Sequence, residues 1–462
     1  MTAADARGFT ARLGEWRGER HGLAGALAEA IREAVLDGRV PVGSPLPAER
    51  ALAEALGVSR GTVVAGLARL REDGWVRTRH GGGSVVRLPA RLTEGTTPWS
   101  RDHGIGVDLT DAVTAAPHDA YREALARAAE RLPPLLVGSG LPTPGLPVLR
   151  ELLAERYTRQ GLATRPEQIL ITSGARAALT LLMDRFHDRR RAVAVENPTF
   201  HGALALLRAR RARHLTVPVT AQGWDLDRLA EVMASGQAAM AYLVPDFHNP
   251  TGALMSREDR GRVLDLARRH EVTVVADETM RDLDLRPDAE RRACPPLGGA
   301  GIVVVGSVGK MFWSGLRVGW IRAATAGQVR ELQLNPLQTQ LSPPPLEQLV
   351  AHELLQDAER VLAGRRALLR AQRDHLSALL TGSDEWTHTV PAGGLTLWLR
   401  LRRPSAEPLV RQAARLGLTL APGPNFSADR THARYLRLPF TPSADVLDRA
   451  VALLREAAAA CP

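Results

Sequence analysis

From residue 169 to residue 306 the chain alternates short apolar, β-branched runs with helical stretches: Ile169 to Thr172, Ala192 to Glu196, Ala241 to Pro245, Thr273 to Ala276 and Ile302 to Gly306. Alternation of this kind predicts a mostly parallel sheet covered by helices on both faces, because each strand must find apolar cover on two sides. In such sheets small molecules bind beyond the carboxyl ends of the strands, so the residues just after each run carry the candidate chemistry.

Those residues form an ordered set. After the first run, Ser173-Gly174-Ala175-Arg176 opens a helix, where free N–H groups and the helix dipole favour a phosphate. After the third, Asp246-Phe247-His248-Asn249-Pro250-Thr251-Gly252 is a turn that would aim the Asn249 amide at a ring oxygen; such turns are also common with no function at all. Asp277 ends the fourth run, suited to pairing with a protonated pyridine nitrogen or, more plainly, to capping or an ion pair. The fifth is followed by Ser307-Val308-Gly309-Lys310 and then Gly315-Leu316-Arg317-Val318-Gly319-Trp320.

Lys310 is the only lysine: of 60 basic residues all the others are arginine. A guanidinium stays protonated and cannot act as an amine nucleophile, whereas a lysine amine can lose its proton and condense with an aldehyde. Chance survival is the alternative. A position at a strand end, in a row of candidate cofactor residues, argues for chemistry instead. Ser307 and Arg317 flank the lysine at spacings suited to holding a phosphate.

The front of the chain reads differently. Leu23 to Leu36 has helical spacing, ended by Asp37-Gly38 and a Pro- and Gly-rich turn, Pro41 to Pro47. Ala48 to Leu56 reads as a helix and Gly57-Val58 as a tight turn, with Ser59 capping a second helix that runs to about Asp73. Trp75 to Arg79 and Val85 to Leu88 then read as strands joined by His80-Gly81-Gly82-Gly83-Ser84. A plain three-helix bundle leaves that basic hairpin unexplained; a helix-turn-helix with a wing does not. The second helix would turn its N–H groups, Ser59, Arg60 and Thr62 toward DNA, with Arg50 reaching a phosphate. Gly81 and Gly82 would let the wing backbone approach the minor groove, beside Arg79. Gly66 weakens the middle of the recognition helix by about 1 kcal/mol relative to Ala.

At 462 residues two or more domains are expected. The reading is a tail over 1–20, a winged helix over 21–88, a linker over 89–107 and an α/β domain over 108–462. A smaller α+β part of the last would comprise residues from about 345 onward plus 108–130. No apolar run approaches the roughly 20 residues of a bilayer span, and Met1-Thr2-Ala3-Ala4-Asp5 has no export-signal pattern. Cys294 and Cys461 cannot make a disulfide framework and lack metal-ligand partners nearby, so no metal is expected and the compartment reads as the reducing bacterial cytoplasm, with nucleoid association when bound to DNA. A formal charge of +10 suits an acidic partner but is weak evidence alone.

Residues 21–88 resemble the winged helix of GntR-type regulators in Leu46-Pro47-Ala48-Glu49-Arg50-Ala51-Leu52-Ala53, Gly57-Val58-Ser59-Arg60-Gly61-Thr62-Val63 and Glu72-Asp73-Gly74-Trp75-Val76. Residues 108–462 resemble the fold-type I, class I/II aminotransferases, and the whole chain resembles the MocR subfamily of regulators. That resemblance implies pyridoxal 5'-phosphate (PLP) as cofactor, with Lys310 as the Schiff-base lysine. Ser173, Gly174, Ala175, Ser307 and Arg317 would hold the phosphate, and Phe200 in Glu196-Asn197-Pro198-Thr199-Phe200 would stack on the ring. Asn249 would bond the ring hydroxyl, Asp277 the pyridinium, and Arg437 a ligand carboxylate, unless Arg437 is a structural ion pair. It also implies a homodimer on double-stranded operator DNA, controlled by PLP or an amino-compound effector. Two departures stand out: Thr279 and Met280 occupy positions where relatives have a ring-hydroxyl tyrosine, and Gly140 to Gly145 lacks another tyrosine. A working aminotransferase, or a DNA-binding protein with a purely structural second domain, are the rival readings.

Overall fold

A computed structural model describes residues 3–17, 22–36, 39–40, 42–79, 83–87, 89, 106–141, 143–188, 190–287, 294–334 and 342–461. At the front, helices α1 (Ala3–Ala11), α2 (Gly22–Leu36), α3 (Glu49–Leu56) and α4 (Arg60–Glu72) precede strands β1 (Val76–Arg79) and β2 (Gly83–Val86). The two strands pair antiparallel, from Val76 opposite Val86 to Arg79 opposite Gly83. Leu27, Ile31, Leu52, Val63, Leu67, Leu70 and Trp75 fill the core between them. Helix α4 starts where the Ser59 hydroxyl accepts the Thr62 N–H at 3.1 Å, and α3 and α4 meet at 115°.

Three expectations change here. The tail over 1–20 contains α1, because Phe9 and Leu13 are buried in the winged-helix core. The hairpin is tighter than its glycines suggest: Gly83 and Ser84 already belong to β2, which ends at Val86. Gly66 is not simply a weak point in α4, since a Cβ there would lie 3.0 Å from the Ala24 carbonyl oxygen and 3.4 Å from Leu27. The bare backbone lets α2 and α4 approach. Gly81 and Gly82 lie outside the described residues, as does the side chain of Arg79.

The linker expected over 89–107 lies largely outside the described residues. Val107–Asp108 (β3) is a short strand paired with Leu418–Thr419. The large sheet contains β4 (Ile169–Thr172), β5 (Ala192–Asn197), β6 (His214–Thr220), β7 (Gly223–Trp224), β8 (Ala238–Leu243), β9 (Thr273–Asp277), β10 (Ile302–Ser307) and β11 (Gly319–Arg322). Its order is β4-β11-β10-β9-β8-β5-β6-β7. The run from β10 to β6 is parallel, while β11 is antiparallel to both neighbours and β7 to β6. Apolar side chains cover both faces, with Leu153, Met255 and Phe312 on one and Leu182, Leu204 and Ile321 on the other.

A second sheet, order β12-β13-β16-β15, joins β12 (Trp386–His388), β13 (Thr396–Leu401), β15 (Ala421–Pro422) and β16 (Tyr435–Pro439). Strand β14 (Leu418–Thr419) pairs with β3. This smaller unit begins later than expected. Helices His118–Arg131 and Pro345–Gln356 bury Ala124, Ala128, Leu349 and Leu354 against the large sheet. The second core takes Val107, Leu109 and Ala112, then Phe247, Met280, Leu283 and Leu285 from the segments after β8 and β9, and the C-terminal run only from Leu369 onward. Helix Ala358–Leu380 bridges the two. No single helix among the described residues is long and apolar enough to cross a membrane.

Candidate functional site

The carboxyl ends of β4, β8, β9 and β10 bring the expected residues to one edge of the large sheet. Gly174 caps helix Ala175–Phe186 with φ +90°, a value that suits glycine, and a Cβ there would sit 3.1 Å from Nη2 of Arg317. Arg317 is exposed and reaches the carbonyls of Ser173 and Ser314 only at 3.5 Å, so its guanidinium has little hold on the protein. The Ser307 hydroxyl donates to the Val318 carbonyl at 3.1 Å and accepts the Gly309 N–H at 3.0 Å, capping the short helix that carries Lys310. Phe200 caps helix His201–Ala209 at the end of β5, its ring over Gly202.

Asn249 is buried, and its Oδ1 has no partner among the described residues. Asp277 is buried and fully engaged: Oδ2 accepts the Tyr242 hydroxyl at 2.7 Å, and Oδ1 accepts the Thr279 hydroxyl at 2.7 Å and its N–H at 3.0 Å. Burial raises its carboxyl, and the hydrogen bonds from Thr279 and Tyr242 offset part of that. Lys310 Nζ donates to the Ala112 carbonyl at 2.6 Å. Although the residue is half-buried overall, its pKa is pushed down to about 8, chiefly by burial of the amine, with Arg437 and Arg317 adding to the shift and Asp111 and Asp277 opposing it. Arg437 is buried, donates to the Thr110 carbonyl and lies 4.6 Å from the centre of the Phe426 ring. Residues 110 to 112 therefore reach both cationic groups through backbone carbonyls.

Sequence reasoning missed Tyr242, whose only mark is a polar tip in an otherwise apolar strand. It also missed the carbonyls of Thr110 and Ala112, since a backbone group carries no sequence signal. The missing tyrosine is accounted for by position: Thr279 braces Asp277, and Met280 is buried in the second core.

On the winged helix, Arg50, Ser59 and Arg60 are exposed. The Ser59 hydroxyl caps α4 and lies 2.9 Å from the Thr62 hydroxyl. Arg60 stands 3.5 Å from Glu49 yet keeps a side chain 72% exposed, so the pair leaves its guanidinium accessible. Val64 and Arg69, which sequence reasoning did not single out, are also exposed on α4.

The model for aminotransferase class I and II matches residues 115–454, and that for gntR-family bacterial regulatory proteins matches residues 23–86. The chain belongs to the class I and II aminotransferase family. Among its relatives, a 2-aminoadipate transaminase of Thermus thermophilus is 33% identical over 310 residues, covering 65% of this chain and 76% of that protein. An HTH-type transcriptional regulator of Bacillus subtilis, YisV, is 25% identical over 85% of this chain and 87% of its own length. The crystal structure of the T. thermophilus α-aminoadipate aminotransferase LysN, complexed with N-(5'-phosphopyridoxyl)-L-leucine, superposes with a TM-score of 0.68. It is 29% identical and covers 80% of this chain and 96% of that one. Regulators such as YisV share both parts of this aminotransferase-family chain, which is a gntR-type DNA-binding regulator of the MocR kind.

Proposed function

We propose that PLP held at Lys310, alone or condensed with an amino-compound effector, controls how tightly the winged helix binds operator DNA. The observation that carries this is the single lysine, its amine pushed down to about 8, set beside Asp277 and Arg437 in a chain that also holds a recognition helix. The donor set fits PLP. Ser173, Gly174, Ala175 and Ser307 with the Arg317 fork suit a phosphate, the unpartnered Asn249 amide oxygen marks a buried polar position left for a ligand, and Asp277 suits a pyridinium. When bound, PLP supplies an aldehyde with which amines condense and a ring that draws electrons from the attached carbon. Lys310 presents the neutral amine, Phe200 a flat apolar face, and Arg437 a buried cation for a ligand carboxylate.

On the DNA side, Arg50, Ser59, Arg60 and Thr62 would meet backbone and bases, with Arg79, Gly81 and Gly82 at the wing. Leu136, Val137 and Leu141 are 71%, 91% and 52% exposed; an apolar ridge of that kind favours cover by a second copy, as in a homodimer. The protein would act in the bacterial cytoplasm, on nucleoid DNA. A second reading, turnover as an aminotransferase, is favoured by the retention of Lys310, Asp277, Asn249 and Arg437 and would appear as multiple-turnover exchange between an amino acid and a keto acid.

The test adds PLP to the purified protein and to Lys310→Ala and records visible absorption, then affinity for a duplex selected by the parent from a random-sequence pool. The parent is expected to gain a visible band that the variant lacks, and only the parent's DNA affinity should respond to PLP or an amine. No band in either protein would leave a DNA-binding protein with a structural second domain.

A further inference from the structure

Resting on that reading of the site, we infer that the loop of residues 423–434 couples the ligand site to the DNA-binding domain, with Asp429 as its positioning residue. The loop joins β15 to β16, and Arg437 lies on β16 directly opposite Ala421. Its two sides touch different partners.

On the ligand side, Phe426 lies under Arg437, and its carbonyl accepts the Thr199 N–H at 2.7 Å. Asn197 is fully buried. Its Oδ1 accepts the Ser427 hydroxyl at 3.0 Å and the Ala428 N–H at 3.1 Å, and its Nδ2 donates to Asp429 Oδ1 at 2.9 Å. The loop thus grips residues 197–199 just ahead of Phe200. A ligand that moves Arg437 or the Phe200 segment acts on the loop directly.

On the other side, Asp429 Oδ2 accepts the Val42 N–H at 3.2 Å, and the His432 N–H donates to the Leu36 carbonyl at 2.8 Å. Ala433 is buried in the winged-helix core, and Arg434 reaches Glu33 at 3.4 Å. Leu36 ends α2. Val42 leads into Gly43, whose N–H donates to Val86 of the wing at 2.8 Å. A shift of Asp429 is therefore passed to the helix and the strand that orient the DNA-reading elements.

Asp429 is suited to the task because its two oxygens face opposite ways. Oδ1 gathers Asn197, Ser427 and Thr431, and Oδ2 holds Val42. Burial would raise its carboxyl, but hydrogen bonds from Thr431 and Ser427, the neighbouring His432 and the Asn197 amide together outweigh this and keep it below the ordinary value. Arg430 and His432 take φ of +62° and +63°, left-handed values that non-glycine residues rarely adopt, and such residues cluster at switching segments. One element with hydrogen-bonded contacts to both sites gives a contiguous path between them, and coupling requires that the two sites bias its arrangement.

Asp429→Asn separates the two sides. Its amide oxygen can keep the Oδ1 contacts, while its NH2 group meets the Val42 N–H as donor against donor. Operator affinity would be measured with and without PLP, and with PLP plus L-leucine or L-2-aminoadipate, in the full chain. In the parent the ligand should change affinity by on the order of tenfold. In Asp429→Asn that ratio should fall to within about twofold while the visible band with PLP persists. Glu33→Gln, remote from the ligand site, should also reduce the ratio, and decides the matter if Asp429→Asn does not fold. A variant that folds, binds PLP and keeps the parent's full ratio overturns the coupling. A parent whose operator affinity ignores every probe instead defeats the underlying reading; hydrogen exchange at the Val42 amide then decides, an exchange rate unchanged by PLP overturning the coupling as well.

Discussion

In the proposed function Lys310 is the residue on which the chemistry turns, and its environment acts on both reactivity and stability. A neutral amine attacks an aldehyde; with its pKa at about 8 rather than 10.5, a far larger share is neutral near pH 7.5. The rate of PLP capture should rise steeply as pH passes through about 8 and level off above it, followed by the visible band. The same shift has a definite sign for stability. The folded chain binds fewer protons than the unfolded one between about 8 and 10.5, so this group's contribution improves with rising pH across that window. Lys310→Met should therefore stabilise the PLP-free protein by about 3 kcal/mol below pH 8, an advantage fading toward pH 10.5, checked by denaturant unfolding at several pH values. The identity of this residue was legible because it is the only lysine. Its bond to Ala112 was not, since a carbonyl 198 positions away leaves no trace in the local pattern.

At the scale of elements, the alternation that announced the large sheet located four of its strands to within a residue. The exception is instructive. The strand expected at Ala241 to Pro245 occupies Ala238–Leu243, because the Val244 N–H turns away to the buried Glu196 carboxylate at 2.9 Å and Pro245 has no N–H to pair. Helix α1 was missed because its apolar stripe is thin, and what holds the segment is Phe9 and Leu13 buried among residues farther along the chain. Gly66 reads in isolation as a loss of helix propensity, whereas in place it is the contact that lets α2 and α4 close. Gly66→Val would force two methyl groups against the Ala24 carbonyl and Leu27. The winged helix should lose about 1–3 kcal/mol, seen as a lower melting midpoint and weaker DNA binding.

For the whole molecule, a formal charge of +10 and the exposed arginines around α4 set up long-range attraction to DNA that salt weakens. Arg60→Ala should lower the slope of log affinity against log salt by about one, with little change in melting temperature, as fluorescence anisotropy at several salt concentrations would reveal. By itself the sequence determined the two folds and their order, because strand and helix periodicity are local properties, and it nominated Lys310, Asp277, Asn249, Arg317 and Arg437 through residue chemistry and family resemblance. Only the tertiary structure decided that Tyr242 braces Asp277, that the second core draws in Phe247 and Met280 and takes the C-terminal run only from Leu369, and that Asp429 joins Asn197 to Val42. Each is a contact between residues distant in sequence. Such contacts arise from which faces the elements bury against one another, and no local spacing encodes them.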